Sequence, residues 1–114
     1  MMKIEEIVQA LGLEVKCAKD CLDREVTGGY TGDLLSDVMG NSKAGYIWIT
    51  RQVHQNIVAV ASLKEHSAII LINSSQPTAE TMDKAEAEKI PIMVSDLPAF
   101  EISGKIYNLL TANS

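Results

Sequence analysis

The residues able to do chemistry or hold a ligand fall into four polar clusters: the run TGGYTGD with Thr27, Gly28 and Gly29, the loop TRQVHQN with Thr50, His54 and Asn56, Ser74 with Ser75, and Ser95 with Asp96. Glycines placed just before a helical pattern leave backbone N–H groups free to hold an anion at the positive end of the helix dipole. The run has neither the lysine of a GxxxxGK[ST] loop nor the spacing of GxGxxG, and Asp33 at the helix start would compete with a phosphate. Two readings follow from the glycines: a tight turn with close backbone packing, or a contact with a ligand or a second subunit. His54, with an ordinary pKa of about 6.5, could serve as a base or as a donor to a phosphate or carboxylate. No nucleophile or orienting acid adjoins it in sequence, and capping its own loop is the competing role. Thr50, Asn56, Ser74 and Ser95 complete the candidate ligand-binding set. Ser74, ahead of Pro77 and Thr78, is equally suited to loop chemistry.

No catalytic residue, metal site or cofactor is identified. Cys17 and Cys21 form a C-x3-C pair without the further Cys or His of a zinc site, and they read as reduced thiols. Glu80, Asp83, Glu86 and Glu88 are interleaved with lysines, as on a solvated helix face.

Each cluster follows an apolar pattern that can position it. Lys3 to Leu13 has helical spacing and a glycine at its end, Leu13 to Cys17 alternates like a strand, and Ala18 to Glu25 is a polar connector. After the glycine-rich turn, Leu34, Leu35, Val38 and Met39 share a helical face closed by Gly40 and Asn41. YIWIT (Tyr46 to Thr50) reads as a strand, and IVAVASL (Ile57 to Leu63) as a helix with Asn56 as N-cap. SAIILIN (Ser67 to Asn73) is apolar on every residue but its ends, as in a strand buried on both faces. Thr78 to Lys89 is a charged helix with Met82 and Ala85 inward, and Ile90 to Val94 is another strand. Phe100, Ile102, Ile106, Leu109 and Leu110 mark a last helix after Asp96 and Pro98.

Strands followed by helical patterns predict βα units, and hence a three-layer α/β/α sandwich with a mostly parallel central sheet and right-handed crossovers. Ligands of such sheets bind beyond the carboxyl ends of the strands. At 114 residues the chain is expected to form a single domain, 1–114, with an aliphatic core. Ten basic residues against fifteen acidic ones, for a net charge of −5, argue against nucleic acid as a partner. The absence of a long apolar run and of a secretory pattern at the start argues for a cytoplasmic protein without a membrane segment.

From about Val26 to Leu110 the chain resembles the DRTGG domain family, through its TGG turn, the following GDLLSDVM, the stretch WITRQVHQNIVAVAS and the later IP strand. Residues 1–25 then form an amino-terminal helix, short strand and connector, and 26–110 the core of the resemblance. The naming motif departs at two places: Glu25 and Val26 stand where Asp and Arg would be. The resemblance implies an α/β/α fold similar to the N-terminal domain of HPr kinase/phosphorylase, and a non-catalytic regulatory or protein-interaction domain. It further implies self-association as a homodimer and a separate enzyme or kinase as partner. The alternative is a small-molecule sensor holding a nucleotide or other anion at the carboxyl ends of the strands.

Overall fold

The apolar runs YIWIT and AIIL become neighbouring strands in the middle of the sheet, because side chains on both of their faces have to be kept from water. The computed structural model describes residues 1–112. In chain order it contains β1 (Met2–Lys3), α1 (Ile4–Leu11), β2 (Glu14–Cys17), a 3₁₀ turn (Lys19–Cys21), β3 (Glu25–Val26) and β4 (Gly28–Thr31). There follow α2 (Leu35–Asn41), β5 (Tyr46–Thr50), α3 (Asn56–Leu63), β6 (Ala68–Leu71), α4 (Ala79–Glu88), β7 (Ile92–Val94) and α5 (Ala99–Ala112).

Five strands form one sheet in the order β2-β7-β6-β5-β4. The β4–β5, β5–β6 and β6–β7 pairs are parallel, and β2 runs antiparallel to β7 at one edge. A two-stranded antiparallel ribbon joins β1 to β3. The fold is therefore the expected α/β/α arrangement with a mostly parallel sheet.

Alternation along β5 sorts its side chains between two cores. Ile47 and Ile49 join Ile70 and Met93 beneath α1 and α5, together with Met2 and Val26 of the ribbon. Trp48 joins Ile69, Leu71 and Ile92 beneath α2, α3 and α4. Burying one such isoleucine is worth about 1.5–3 kcal/mol, so both layers contribute to stability.

Local signals place the helix ends. Gly12 takes a left-handed conformation (φ 62°) and closes α1 with an N–H bond to Val8 O, while Lys3 N–H donates to Glu6 Oε1 at the start. Thr78 caps α4 by accepting from Thr81 N–H at 3.2 Å. The expected N-cap at Asn56 is not formed: Asn56 is the first residue of α3, exposed, and no side-chain cap bond precedes it. Met82, expected inward, is half-buried, and Ala85 is fully buried. Phe100 does not face the core; it is 90% exposed, because the buried stripe of α5 runs through Ile102 and Ile106.

The run TGGYTGD does not form the expected glycine-rich turn. Gly28 to Thr31 is an edge strand paired in parallel register with Tyr46 to Ile49, not a turn. None of Gly28, Gly29 or Gly32 has a positive φ. Glycines carry no side chain to show the period-two pattern, so the strand was hidden. Beside this strand, a position that does need glycine freedom is Gly45 (φ +82°), where a Cβ would stand 2.6 Å from Thr27 Oγ1.

His66 is buried (2% exposed) at the mouth of β6, edge-on to the Trp48 ring at 5.7 Å. Ser42 Oγ donates to Val38 O at 2.7 Å, so the 2.8 Å contact between Ser42 and His66 has Nε2–H as donor. That tautomer leaves Nδ1 bare, and Nδ1 has no hydrogen-bond partner among the described residues. Burial, with Lys64 nearby, lowers the His66 pKa to about 4. The unfolded histidine binds its proton near pH 6.5, so stability is complete above that pH and falls as the pH drops toward 4. The loss over that window is expected to be about 3 kcal/mol. Urea unfolding between about pH 7.5 and 4.5 should show it in the wild type, and His66→Phe should flatten that part of the profile.

Candidate functional site

At the carboxyl end of the sheet, the side chains that sequence reasoning brought together are tied to the chain itself. Thr50, the last residue of β5, is fully buried; its hydroxyl donates to Asp33 Oδ1 at 2.8 Å and accepts from Gln52 N–H at 3.2 Å. Asp33 Oδ1 also accepts from Arg51 N–H at 2.8 Å, and Asp33 O accepts from Gln52 Nε2 at 3.0 Å. One step earlier, Trp48 Nε1–H donates to Gly32 O at 2.9 Å. Asp33 therefore closes the loop after β5 rather than capping α2, whose N-cap is Leu34.

Ser74 and Ser95 lie at the ends of β6 and β7. Ser74 Oγ donates to Asp96 Oδ1 at 2.7 Å, and its N–H donates to Ser95 O. Buried Ser95 accepts from Leu97 N–H at 3.1 Å. Asn73 and Ser74 both have left-handed backbones (φ 53° and 59°), held by these bonds. A polar cleft of about 280 Å³ beside them includes Glu14, Gln76 and Asp96, whose two carboxylates repel anions. His54 is exposed on the loop leading into α3, and Asn56 is exposed as the first residue of that helix.

Thr27, Gly28 and Gly29 do not join this group. Thr27 sits at the amino end of β4, with Oγ1 donating to Ala44 O at 3.2 Å and N–H donating to Gly45 O. At about 3.3 Å per residue it is roughly 13 Å back from Thr31 along the strand. On one face of β4, a Cβ at Gly28 would come within 2.6 Å of the Tyr46 ring, and Tyr30 donates its hydroxyl to Asp37. Losing that bond on ionisation, with some burial, raises the Tyr30 pKa. On the other face, Gly29 and Thr31 lie beneath α5.

There the structure shows a feature the sequence reading missed: a groove of about 730 Å³ between β4 and α5. Gly29, Thr31 and Ile49 form its floor, and Phe100, Ser103, Gly104 and Tyr107 are among its wall residues. Thr31 Oγ1 and Ser103 Oγ, 2.7 Å apart, hold α5 over the strand. Phe100 (90% exposed) and Tyr107 (69%) are among the large apolar residues left open to water. Their spacing of seven in FEISGKIY was the available signal, since it puts both on one helical face. β4 is also a sheet edge, which leaves unpaired backbone groups beside the groove.

Among the described residues no group of three or more His, Cys, Asp or Glu is gathered to hold a metal, and no helix is long and apolar enough to cross a membrane. Both cysteines are free thiols. Burial pushes the Cys17 thiol pKa up, which makes it a poor nucleophile.

No protein-family model and no curated protein matches the chain. Its fold matches the crystal structure of the CBS and DRTGG domains of the regulatory region of Clostridium perfringens pyrophosphatase, complexed with the activator diadenosine tetraphosphate. The TM-score is 0.67 at 15% identity, over 90% of this chain and 44% of that one. This chain thus spans less than half of that structure, and the likeness is one of fold: a DRTGG-like domain.

Removing the Asp33 carboxylate strips the buried Thr50 hydroxyl of its acceptor. Asp33→Ala is expected to lower stability by about 1–3 kcal/mol. Urea unfolding followed by Trp48, the single tryptophan, reads this directly.

Proposed function

We propose that this chain is a non-catalytic regulatory domain that acts by binding, self-associates as a homodimer in the cytoplasm, and transmits its state to a separate enzyme or kinase. The observation that carries this reading is the β4–α5 groove, an apolar surface with two exposed aromatic side chains and an open strand edge. An exposed apolar patch of this kind marks a binding site, since such surface is costly to leave in water. The carboxyl end of the sheet supports the non-catalytic part. Thr50, Ser74 and Ser95 are engaged within the chain, and His54 is exposed on a loop. The fold neighbour, a regulatory region, agrees with this role. Sedimentation velocity from low to high micromolar concentration is expected to move the weight-average mass from 12.4 kDa toward twice that value. A constant 12.4 kDa would remove self-association from the reading.

A second reading, sensing of a nucleotide or other anion at the carboxyl ends of the strands, draws on the neighbour's complex with diadenosine tetraphosphate. Thr50, His54, Asn56, Ser74 and Ser95 would supply the contacts, against the opposing charge of Asp33 and Asp96. A ligand at a hundred times its Kd adds about 2.7 kcal/mol, which raises Tm by roughly 10 °C or more in a domain of this size. Thermal unfolding with diadenosine tetraphosphate, ATP and inorganic phosphate is the test. An unchanged Tm at millimolar ligand excludes this reading.

A further inference from the structure

We infer that the groove between β4 and α5 receives α5 of a second copy of this chain, the two helices packing antiparallel across a two-fold axis that passes between Ser103 and Gly104. The inference rests on the self-association proposed above and names its surface.

The layers on the two faces of the sheet are unequal. Five strands at about 4.8 Å spacing make a sheet roughly 24 Å wide, and helices pack about 8–10 Å apart, so a face takes about three helices. One face carries α2, α3 and α4; the other carries α1 and α5, with the small ribbon of β1 and β3. The groove lies at the β4 edge of that second face, the position of an absent third helix.

The exposed stripe of α5 has the form of a helix contact. Phe100 and Tyr107 are seven residues apart, about 10.5 Å along the axis. Two rings clasping one planar ligand stand only about 7 Å apart, twice a carbon–carbon contact, so this spacing fits side chains on successive turns of a facing helix. Between them lie Ser103 and Gly104. Apart from the backbone of its own helix and its chain neighbours, no atom of the described residues comes within 4 Å of a Cβ at Gly104, so packing leaves room for a larger residue there. A glycine inside a helix nevertheless costs about 1 kcal/mol relative to alanine. Close approach of a second backbone gives it a purpose.

The stripe is also self-complementary, as a two-fold interface requires. With the axis between Ser103 and Gly104, each Phe100 meets the other copy's Tyr107 at the ends of the contact, and the small residues meet at its centre. Glu101 and Lys105 lie on one flank of the helix, and the same rotation brings the Glu101 of each chain near the Lys105 of the other. The open edge of β4 lies alongside, facing the incoming copy.

The test is sedimentation equilibrium on the full chain with Gly104→Leu, Phe100→Glu, Tyr107→Lys and the double variant Phe100→Glu/Tyr107→Lys. All three positions are on the surface of the single chain, so each variant is expected to fold and to unfold cooperatively in urea. The wild type should show twice 12.4 kDa. Each single variant should weaken the dimer at least tenfold, and the double variant should recover it, because position 100 of one copy faces position 107 of the other. A wild-type dimer that persists in Gly104→Leu and Phe100→Glu overturns this inference while leaving self-association intact. Dimers broken by the single variants and not recovered in the double variant overturn the placement of the axis. A wild type that stays at 12.4 kDa at every concentration, as when another protein's helix fills the groove, overturns both.

Discussion

Strands β5 and β6 are apolar on both faces, and this double burial governs the rest of the molecule. Trp48 and Ile49 are adjacent in sequence, point to opposite sides, and are both removed from water. No hairpin meander could cover them, because it leaves one face of the sheet to solvent. Helices must lie on both sides, and the loops between strands and helices then gather at the two ends of the sheet. The chain meets the requirement fully at the centre and less fully at the β4 edge. There the strand is glycine-rich, and a single helix spans the last of the floor.

Much of the fold was legible because it depends on those apolar runs. YIWIT begins and ends where β5 does, and the strand at SAIILIN is the central one. Gly12 closes α1, as glycine at a C-cap should. The glycine-rich segment was not legible as a strand. A strand is recognised by alternating side chains, and at Gly28 and Gly29 there are none to alternate. The same blankness accounts for the split of the candidate site. A turn leading into a helix would set Thr27, Gly28 and Gly29 beside Thr50, Ser74 and Ser95. As a strand, the segment carries them toward the opposite end of the sheet.

Phe100 shows a different limit. Its place in an amphipathic rhythm suggested burial, yet Ile102 and Ile106 take the inward face and Phe100 points to water. Periodicity shows that a helix has faces, and not how many of them are covered. Asp33 was expected to oppose a phosphate at a helix start. Its carboxylate instead closes the β5 loop through Thr50 and Arg51. Hydrogen bonds over such a sequence separation depend on which strands become neighbours, and no local pattern encodes that. The DRTGG-like fold found at 15% identity reflects the same division, since layers and strand order persist where most side chains differ.

The pairing of β2 with β7 has a consequence for how the chain is made. The β4–β5–β6–β7 ladder joins strands in the order in which they are synthesised, so each finds its neighbour soon after it emerges. Glu14, by contrast, waits for Val94. At about 5–20 residues per second that delay is several seconds, during which β2 has no partner strand and the apolar stripe of α1 lacks its packing against α5. Contacts this distant in sequence also slow folding, since a long loop must close before they form. The segment of α1 and β2 is thus made well before the strand and helix it docks against, and in that interval Ile4 and Ile7 are the surface a chaperone would meet.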